Sequence, residues 1–398
     1  MTEPQGESKQ VQVDVAIIGG GVAGLWTLSL LRQQGYNAIL LENNSLGGGQ
    51  TRYAQGIIHG GTKYALTGKL TASSEAIAEM PSFWRACLEG EGELDLSNVR
   101  LMSEHQYLWS TASLTSRMAG FFASHAMRSR TQALSKSERP GIFQHQQFKG
   151  QVYRLDEPVL DTSSLTSVLA EKNSKHLVAI QALAASDNRL EITDTDGNHY
   201  SISYRHVVLT AGKGNKELLN AFGKKQPQMQ LRPLKMVMVR GGLPEMIYAH
   251  CLGASVNPRV TITSHTDTNG DIVWYLGGQL AEEGVQRSDE DQINAAQKEL
   301  STLMPWLDLS DAQWAALPID RAEPLMPGGK RPDDVFVETD NIVSVCWPTK
   351  LAFAPRLANR VLTQIQEQGI SPSGEQLLPS WAQPEVAKLP WQEETFWS

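Results

Sequence analysis

The sequence is poor in cysteine and contains no long apolar run. Its 398 residues include three cysteines, Cys87, Cys251 and Cys346, which lie far apart and lack the close spacing of metal ligands. This usage is typical of a reducing compartment, and we expect no metal site. No stretch reaches the roughly 18 uninterrupted apolar residues of a membrane-spanning helix. The first ten residues are polar and lack the apolar segment of a signal peptide, so we expect a cytoplasmic protein.

Positive charge is also scarce, because 35 Lys and Arg residues face 43 Asp and Glu residues, for a net charge of -8. This balance argues against nucleic acid as a partner, although it allows a local cationic pocket. The C-terminal tail, residues 371–398, contains Trp381, Trp391 and Trp397. We expect these rings to pack on the protein itself. Peripheral contact with a membrane is the alternative, since aromatic side chains also favour membrane interfaces.

A glycine-rich turn follows the first apolar run of the chain, residues 13–18. Gly19, Gly21 and Gly24 have the spacing of a dinucleotide-binding turn. In such a turn the first glycine permits a tight bend, the second lets the backbone approach a pyrophosphate, and the third lets the next helix pack closely. That helix directs its N-terminus at the phosphates, where free N–H groups favour negative charge. The glycine triplet alone is also compatible with an ordinary turn.

Glu42 completes this unit. It follows a second apolar run, residues 38–41, and stands 23 residues after Gly19. A carboxylate in this position accepts hydrogen bonds from a ribose diol and repels a 2′-phosphate. The strand, helix, second strand and terminal Glu together predict a dinucleotide binder, but they do not distinguish FAD from NAD.

The rest of the chain predicts an α/β protein whose dinucleotide-binding domain is discontinuous. Alternation around Asp196 and Gly197 predicts a hairpin, and Thr162 or Ser163 is the expected cap of a helix. Further helices are predicted at 71–88, 112–127, 162–172, 290–303 and 354–366, and further strands at 236–239, 260–263, 272–276 and 341–346. We assign residues 11–90, 150–225 and 335–370 to a Rossmann-like domain. Residues 91–149 and 226–334 are assigned to an inserted α+β substrate domain on a mixed or antiparallel sheet.

Three strings resemble the FAD-dependent oxidoreductases of the D-amino-acid oxidase and glycerol-3-phosphate dehydrogenase superfamily. The first is residues 19–42. The second, residues 50–64, is similar to the segment ending in Ile-His-Gly-Gly in glycerol-3-phosphate dehydrogenases and to its counterpart in 2-hydroxyglutarate oxidases. The third, Pro348-Thr349-Lys350-Leu351, resembles their Gly-Gly-Lys-Leu string, although Trp347, Pro348 and Thr349 replace the glycines.

The resemblance implies FAD as the cofactor. It also implies a set of cofactor-binding residues drawn from these strings and from the turn after residue 209. They are Gly19, Gly21, Gly24, Glu42, Gln50, Thr51, Gly56, Ile58, Gly60, Ala211, Gly212, Thr349, Lys350 and Leu351.

Three residues are candidates for catalysis. His59 is expected to contact the flavin, act as a base or anchor its loop. Lys350 would stabilise negative charge on the reduced flavin ring, unless it is a solvated surface lysine. Arg321 would bind a substrate carboxylate or phosphate, unless it pairs internally with Asp320 or Glu323.

We therefore expect an FAD-dependent dehydrogenase or oxidase that transfers hydride from a small, anionic amine or hydroxy acid to flavin. The electron acceptor is left open among oxygen, a quinone and a protein. An NAD-linked dehydrogenase and a non-catalytic, flavin-loaded subunit are the alternatives. His250 and His265, beside predicted strands of the substrate domain, are weaker candidates for the base, and Trp274 and Tyr275 are expected to fill the core.

Overall fold

The structure is a computed structural model that describes residues 8–61, 77–111, 131–186, 188–253, 257–330 and 332–397. Its α-helices are α1 (Val22–Gln33), α2 (Met80–Leu88), α3 (Thr162–Lys172), α4 (Asn215–Ala221), α5 (Gln279–Glu283), α6 (Asp289–Leu303) and α7 (Ala354–Glu367). Its strands are β1 (Lys9–Ile18), β2 (Ala38–Glu42), β3 (Leu101–Ser103), β4 (Gln106–Trp109), β5 (Thr131–Ala133), β6 (Val152–Leu155), β7 (Val159–Leu160), β8 (Leu177–Ser186), β9 (Arg189–Asp194), β10 (His199–Leu209), β11 (Met229–Arg240), β12 (Ala249–Cys251), β13 (Val260–Thr266), β14 (Ile272–Gly277), β15 (Gln313–Pro324), β16 (Phe336–Asp340) and β17 (Val343–Trp347).

The glycine-rich turn follows β1, which is a strand of a seven-stranded sheet. Five of its strands, β8, β2, β1, β10 and β17, lie side by side in that order with parallel pairing throughout. β9 and β16 pair antiparallel to them. The strand order reverses between β1 and β10, where Ile18 lies opposite Leu209. Open α/β sheets bind ligands at the carboxyl ends of the strands at such a reversal.

A second, eight-stranded sheet has the order β15-β11-β14-β13-β12-β4-β6-β5. Its pairings are antiparallel except that of β12 with β4, so the sheet is mixed. Trp274 packs on one face with residues of α6, and Tyr275 packs on the other face with Trp391 of the tail. The strands predicted at 236–239, 260–263 and 272–276 are confirmed, as are the core positions of Trp274 and Tyr275. The protein is therefore an α/β protein with mixed sheets.

Two strands, β6 and β7, lie outside the sheet that their sequence range suggests, and β7 pairs with β3 in a two-stranded sheet. β6 falls within the range 150–225, which the sequence assigns to the dinucleotide-binding domain, yet it pairs with β4 and β5 of the eight-stranded sheet. The apolar pattern of a short strand shows which residues are buried but not which partner covers them.

The predicted helices and the hairpin agree closely with the structure where it describes them. Helices α3, α6 and α7 begin and end within one residue of the predicted limits. The cap of α3 was predicted wrongly, because the Asp161 side chain, one residue earlier, accepts the Ser164 N–H at 2.8 Å. The predicted helix at 112–127 and the first part of that at 71–88 lie outside the described residues.

The C-terminal tail packs on both sheets. The Trp381 ring lies edge-on to Tyr200, with 5.8 Å between ring centroids. Trp391 stacks on His265 at 3.6 Å. Glu394 forms an ion pair of 2.8 Å with Arg240. The tail thus packs on its own chain, as expected, and within the part of the chain that the structure describes no helix is long and apolar enough to span a bilayer.

Candidate active site

A cavity of about 1020 Å³ is bordered by both sheets. On the seven-stranded side it is lined by the turns that follow β1 and β10 and by the segment that follows β17. On the eight-stranded side it is lined by residues of β11, β13 and β15. Its volume is at the upper end of the range typical of cofactor and ligand sites.

The turn after β1 has the tight geometry that its glycines predict. Gly19 has φ 113°, a left-handed conformation that side chains rarely adopt, and a Cβ there would lie 2.6 Å from the Ala211 Cα. A Cβ on Gly24 would lie 2.1 Å from the Gly19 carbonyl oxygen and 2.7 Å from the Thr210 Oγ1. Thr210 Oγ1 donates a hydrogen bond to that same carbonyl at 2.9 Å. Gly24 therefore permits close packing of α1 and does not line the cavity.

Gly21 has a different environment. Only one atom, Thr51 Oγ1 at 3.4 Å, lies within 4 Å of the place where its Cβ would be, and Gly21 lines the cavity. Gly21 is also the N-cap of α1, which has no side-chain cap and no acidic residue in its first turn. Thr51 Oγ1 accepts the Val22 N–H at 3.1 Å. The start of α1 thus offers backbone N–H groups and a favourable dipole to an anion in the cavity.

Glu42 lines the cavity beside this turn. Its carboxylate accepts the Gly20 N–H at 2.6 Å and the Asn44 N–H at 2.9 Å. Burial raises the pKa of Glu42, although these backbone hydrogen bonds act in the opposite direction. Glu42 therefore holds the turn in place as well as presenting a carboxylate to the cavity.

The turn after β10 connects the walls of the cavity. Ala211 and Gly212 line it, and the Gly212 carbonyl accepts a hydrogen bond of 3.1 Å from Trp347 Nε1. Gln50 and Thr51 line the adjoining wall, and Gln50 Oε1 accepts the Ala322 N–H at 2.9 Å. This hydrogen bond joins the segment that begins at Gln50 to β15 of the eight-stranded sheet.

Thr349, Lys350 and Leu351 line the cavity after β17. Lys350 is half-buried, with its Nζ 4.8 Å from the centroid of the Phe353 ring, so it is not a fully solvated surface lysine. Thr349 has φ 62°, a left-handed conformation unusual for a β-branched residue. This is one of the positions where the resembling dehydrogenases carry glycine, which adopts that conformation freely.

Arg321 lies on β15 and also lines the cavity. Its Nε donates to the Arg232 carbonyl at 3.2 Å. The expected alternative was an internal pair with Asp320 or Glu323. In the structure Asp320 pairs with Lys213 at 2.7 Å, and Glu323 pairs with Arg232 at 3.6 Å.

His59 lines the cavity, and its Nδ1 lies 3.6 Å from Glu157 Oε2. The ring stacks on that of His250, another cavity residue, with 5.5 Å between centroids. Burial by itself raises the pKa of Glu157, but hydrogen bonding and charge from His59, with the Gly60 N–H and Gln106, bring it below its usual value. A buried carboxylate thus faces the imidazole from behind the cavity wall.

Three residues predicted to bind the cofactor do not line the cavity: Gly24, described above, and Ile58 and Gly60. Gly56 does line it. Ile58 is fully buried in the core beside the seven-stranded sheet, and the Gly60 N–H points to Glu157. Successive side chains of an extended segment alternate in direction, so His59 faces the cavity while its neighbours face away.

Sequence reasoning did not single out Glu157, and it placed His250, which lines the cavity, among the weaker candidates. The available signal for Glu157 was an acidic residue directly before Pro158 and the apolar pair Val159 and Leu160. His265, the other weaker candidate, is buried beneath Trp391, and burial lowers its pKa to about 3.

Comparison with known proteins identifies the family. Residues 14–343 match the model of the DAO family, FAD-dependent oxidoreductases. The chain is 47% identical over 383 residues to a probable FAD-dependent oxidoreductase of Pseudomonas aeruginosa. The aligned region covers 96% of this chain and 98% of the Pseudomonas protein. The crystal structure of the Pseudomonas protein matches with a TM-score of 0.84 at 43% identity, over 96% of this chain and 98% of that one.

More distant solved structures share the fold. Glycine oxidase from Geobacillus kaustophilus matches with a TM-score of 0.64 at 15% identity, over 93% of this chain and 97% of that one. L-α-Glycerophosphate oxidase from Mycoplasma pneumoniae, solved with FAD bound, matches with a TM-score of 0.62 at 13% identity, over 96% of this chain and 98% of that one.

The chain therefore belongs to the DAO family of FAD-dependent oxidoreductases. Its cofactor is FAD, and it is an enzyme that acts as a dehydrogenase or oxidase. The NAD-linked alternative and the non-catalytic subunit are thereby set aside. The observed turn agrees with this cofactor, because Gly19 and Gly24 admit no side chain while Gly21 and the uncapped start of α1 leave space for a pyrophosphate.

Proposed function

We propose that this enzyme oxidises a small, anionic amine or hydroxy acid by hydride transfer to FAD. The observation that carries the proposal is one continuous cavity lined by the glycine turn, Lys350, His59 and Arg321. A nucleotide-binding turn, a proton acceptor and a guanidinium are groups suited to binding FAD and oxidising an anionic substrate of this kind.

In this proposal the seven-stranded sheet is the core of a Rossmann-like FAD-binding domain, built from 11–90, 150–225 and 335–370. The eight-stranded sheet is the core of the inserted substrate domain, built from 91–149 and 226–334. β6 is counted with the substrate domain because its partners β4 and β5 belong to that sheet. The cavity then lies between the two domains, a common place for ligand sites.

Several of the cavity residues would bind the cofactor. The N–H groups at the start of α1, with Gly19 and Gly21, would hold the pyrophosphate, and Glu42 would bind the ribose. Gln50, Thr51, Gly56, Ala211, Gly212, Thr349 and Leu351 would line the cofactor, as the resemblance implies. Lys350 would stabilise negative charge that gathers on the pyrimidine edge of the ring. When bound, FAD would supply the acceptor for the hydride, which carries two electrons.

Arg321 would hold the substrate by a carboxylate or phosphate. A guanidinium binds such groups through two parallel hydrogen bonds, which a lysine cannot reproduce. The structural neighbours include a glycine oxidase and a glycerophosphate oxidase, so the shared fold accommodates both amines and alcohols.

The test is anaerobic bleaching of the bound flavin by a panel of small anionic amines and hydroxy acids. Arg321→Ala should raise the dissociation constant of a bleaching substrate about 30-fold or more, since loss of a buried charged partner costs roughly 2 to 5 kcal/mol. Arg321→Lys should restore binding only in part, and FAD content should not change.

Arg232→Ala is the matched control, because Arg232 contacts Arg321 through its backbone carbonyl and its side chain pairs with Glu323. An Arg321→Ala enzyme with wild-type substrate binding would reject the anionic anchor. A flavin that dithionite reduces but no member of the panel reduces would reject the proposed substrate class. Once a substrate has reduced the flavin, the rates at which oxygen, a soluble quinone and a protein acceptor reoxidise it would distinguish the three acceptors.

A further inference from the structure

We infer that the substrate of this cavity is an alcohol, and that Glu157 is a positioning residue that holds His59 as the acceptor of the hydroxyl proton. The inference rests on the proposed function and narrows it from amines and hydroxy acids to hydroxyl substrates. It is drawn from the contacts of His59 and Glu157.

The backbone sets these two side chains side by side although they are far apart in sequence. Ile57 forms an antiparallel bridge with Val159, and the Ile58 N–H donates to the Pro158 carbonyl at 2.9 Å. This pairing brings the His59 Nδ1 within 3.6 Å of the Glu157 Oε2. Their relative position is therefore a property of the fold and not of two mobile side chains.

Glu157 is almost fully buried, with 4% of its surface exposed, and it does not line the cavity. Its Oε1 accepts the Gly60 N–H at 2.8 Å, and its Oε2 accepts a short hydrogen bond from Gln106 Nε2. Gln106 is itself fully buried on β4. The carboxylate is thus fixed from two sides, and it faces the cavity through His59.

An ionised carboxylate in such a place is costly unless a cation or donor faces it. Donors from Gly60 and Gln106 and the imidazole of His59 keep the pKa of Glu157 low in spite of burial. A carboxylate at Nδ1 favours the tautomer with its proton on Nδ1, so that Nε2 is the basic nitrogen. The same carboxylate stabilises the imidazolium that forms when Nε2 takes a proton.

His250 is a second titratable side chain that faces His59. It lies on β12, its ring is stacked on His59 with 24° between the planes, and its Nδ1 is 2.8 Å from Thr261 Oγ1. Glu157 and His250 together are thus the ionisable groups to consider in the pH dependence of His59.

Alcohol oxidation requires this proton acceptor during hydride transfer, whereas an amine that is already neutral does not, and an ammonium substrate must lose its proton beforehand. A neutral amine loses hydride and becomes an iminium ion without transferring a proton. An alcohol must lose its hydroxyl proton as well, because the carbonyl product carries no charge. In the step we infer, the C–H bond breaks with its electron pair passing as hydride to bound FAD. The O–H bond breaks with its proton passing to His59 Nε2, and the C–O single bond becomes a double bond.

The first test compares matched pairs of anions on the wild-type holoenzyme. Glycolate and glycine, lactate and alanine, 2-hydroxyglutarate and glutamate, and glycerol 3-phosphate and phosphoethanolamine are each tested for anaerobic flavin bleaching. The inference expects bleaching by a hydroxyl member and none by its amino partner. Bleaching by amino members alone would overturn the inference and leave the proposed function standing. Bleaching by no member would count against the proposed function itself.

The second test replaces Glu157 by Gln, which keeps the size and an acceptor for the Gly60 N–H but removes the charge. Glu323→Gln is the matched control, since Glu323 is equally buried, pairs with Arg232 and lies outside the cavity wall. His59→Gln should slow flavin reduction by a hydroxyl substrate about 10²- to 10⁴-fold, the usual contribution of a general base. Glu157→Gln should slow flavin reduction by about tenfold or more, but less than His59→Gln does. The substrate dissociation constant and the FAD content should not change.

A purely structural role of Glu157 would not change the ionisation of His59. In Glu157→Gln the acid limb of the pH profile for flavin reduction should move to lower pH, because the imidazolium has lost its carboxylate. Nitrogen-15 spectra of the nine histidines, with His59 assigned through His59→Gln, should show Nδ1–H in the wild type and a shift toward Nε2–H in Glu157→Gln. Glu323→Gln should show neither change. An unmoved acid limb and an unchanged tautomer in Glu157→Gln would overturn the positioning role.

Discussion

Gly21 and Gly24 should respond in opposite ways to the same added methyl group. At Gly21 the new methyl carbon would meet only Thr51 Oγ1, at an ordinary contact distance of 3.4 Å, and the backbone there has φ -71° and ψ 174°, which alanine adopts freely. We therefore expect Gly21→Ala to fold with unchanged or slightly higher stability in the absence of FAD. The methyl group would instead occupy space that the pyrophosphate needs.

The magnitudes follow from these environments. Displacing one charge-assisted hydrogen bond to the phosphates costs about 1.5 to 3 kcal/mol, or roughly 10- to 150-fold in FAD affinity. In Gly24→Ala the methyl carbon would lie 2.1 Å from a backbone oxygen that cannot rotate away. Such overpacking costs about 3 kcal/mol, from which the better helix propensity of alanine returns about 1 kcal/mol. We thus expect apo Gly24→Ala to lose about 2 kcal/mol of stability.

The assay is urea unfolding of the apoprotein and of the protein with excess FAD, together with titration of the apoprotein with FAD. Bound ligand stabilises a protein according to its concentration relative to the dissociation constant. Gly21→Ala should therefore lose stability only in the presence of FAD. Wild-type FAD affinity in Gly21→Ala, or equal destabilisation of the two apo variants, would refute the assignment of the pyrophosphate to the space beside Gly21.

Four further changes test other parts of the structure. Glu42→Ala should weaken FAD binding by about 1.5 to 3 kcal/mol in apoprotein titrations, and unchanged affinity would show that Glu42 is not the ribose ligand. Lys350→Met should keep FAD but lower its reduction potential and slow its reduction, because a nearby positive charge is lost; wild-type values of both would place Lys350 outside the flavin environment. Thr349→Gly should raise the free energy of unfolding by about 1 kcal/mol in urea, because it relieves a left-handed β-branched residue, and a loss of stability would contradict this reading. Burial lowers the pKa of His206 from 6.5 to about 4. As the pH falls, this histidine therefore takes up a proton in the unfolded chain before it does so in the folded protein. Stability should therefore fall by about 3 kcal/mol between about pH 6.5 and pH 4 through this residue, and urea unfolding of His206→Gln should show a correspondingly weaker pH dependence.

The sequence alone determined the features that depend on near neighbours in the chain. The strand, turn and helix around Gly19 and Gly24 were predictable because a left-handed φ and a close helix contact exclude side chains at those positions. The helices α6 and α7 were predictable because their apolar residues recur with the helical period. The strings at residues 50–64 and 348–351, together with the glycine turn, indicated the flavoprotein family.

Only the tertiary structure determined which distant segments meet. β6 joined the eight-stranded sheet because strand pairing depends on partners that a short apolar run does not specify. Glu157 reached His59 because a bridge between Ile57 and Val159 aligned two segments about a hundred residues apart. Neither residue carries a local mark of the other, since the contact between a buried carboxylate and an imidazole is formed by folding and depends on burial and distance rather than on sequence spacing.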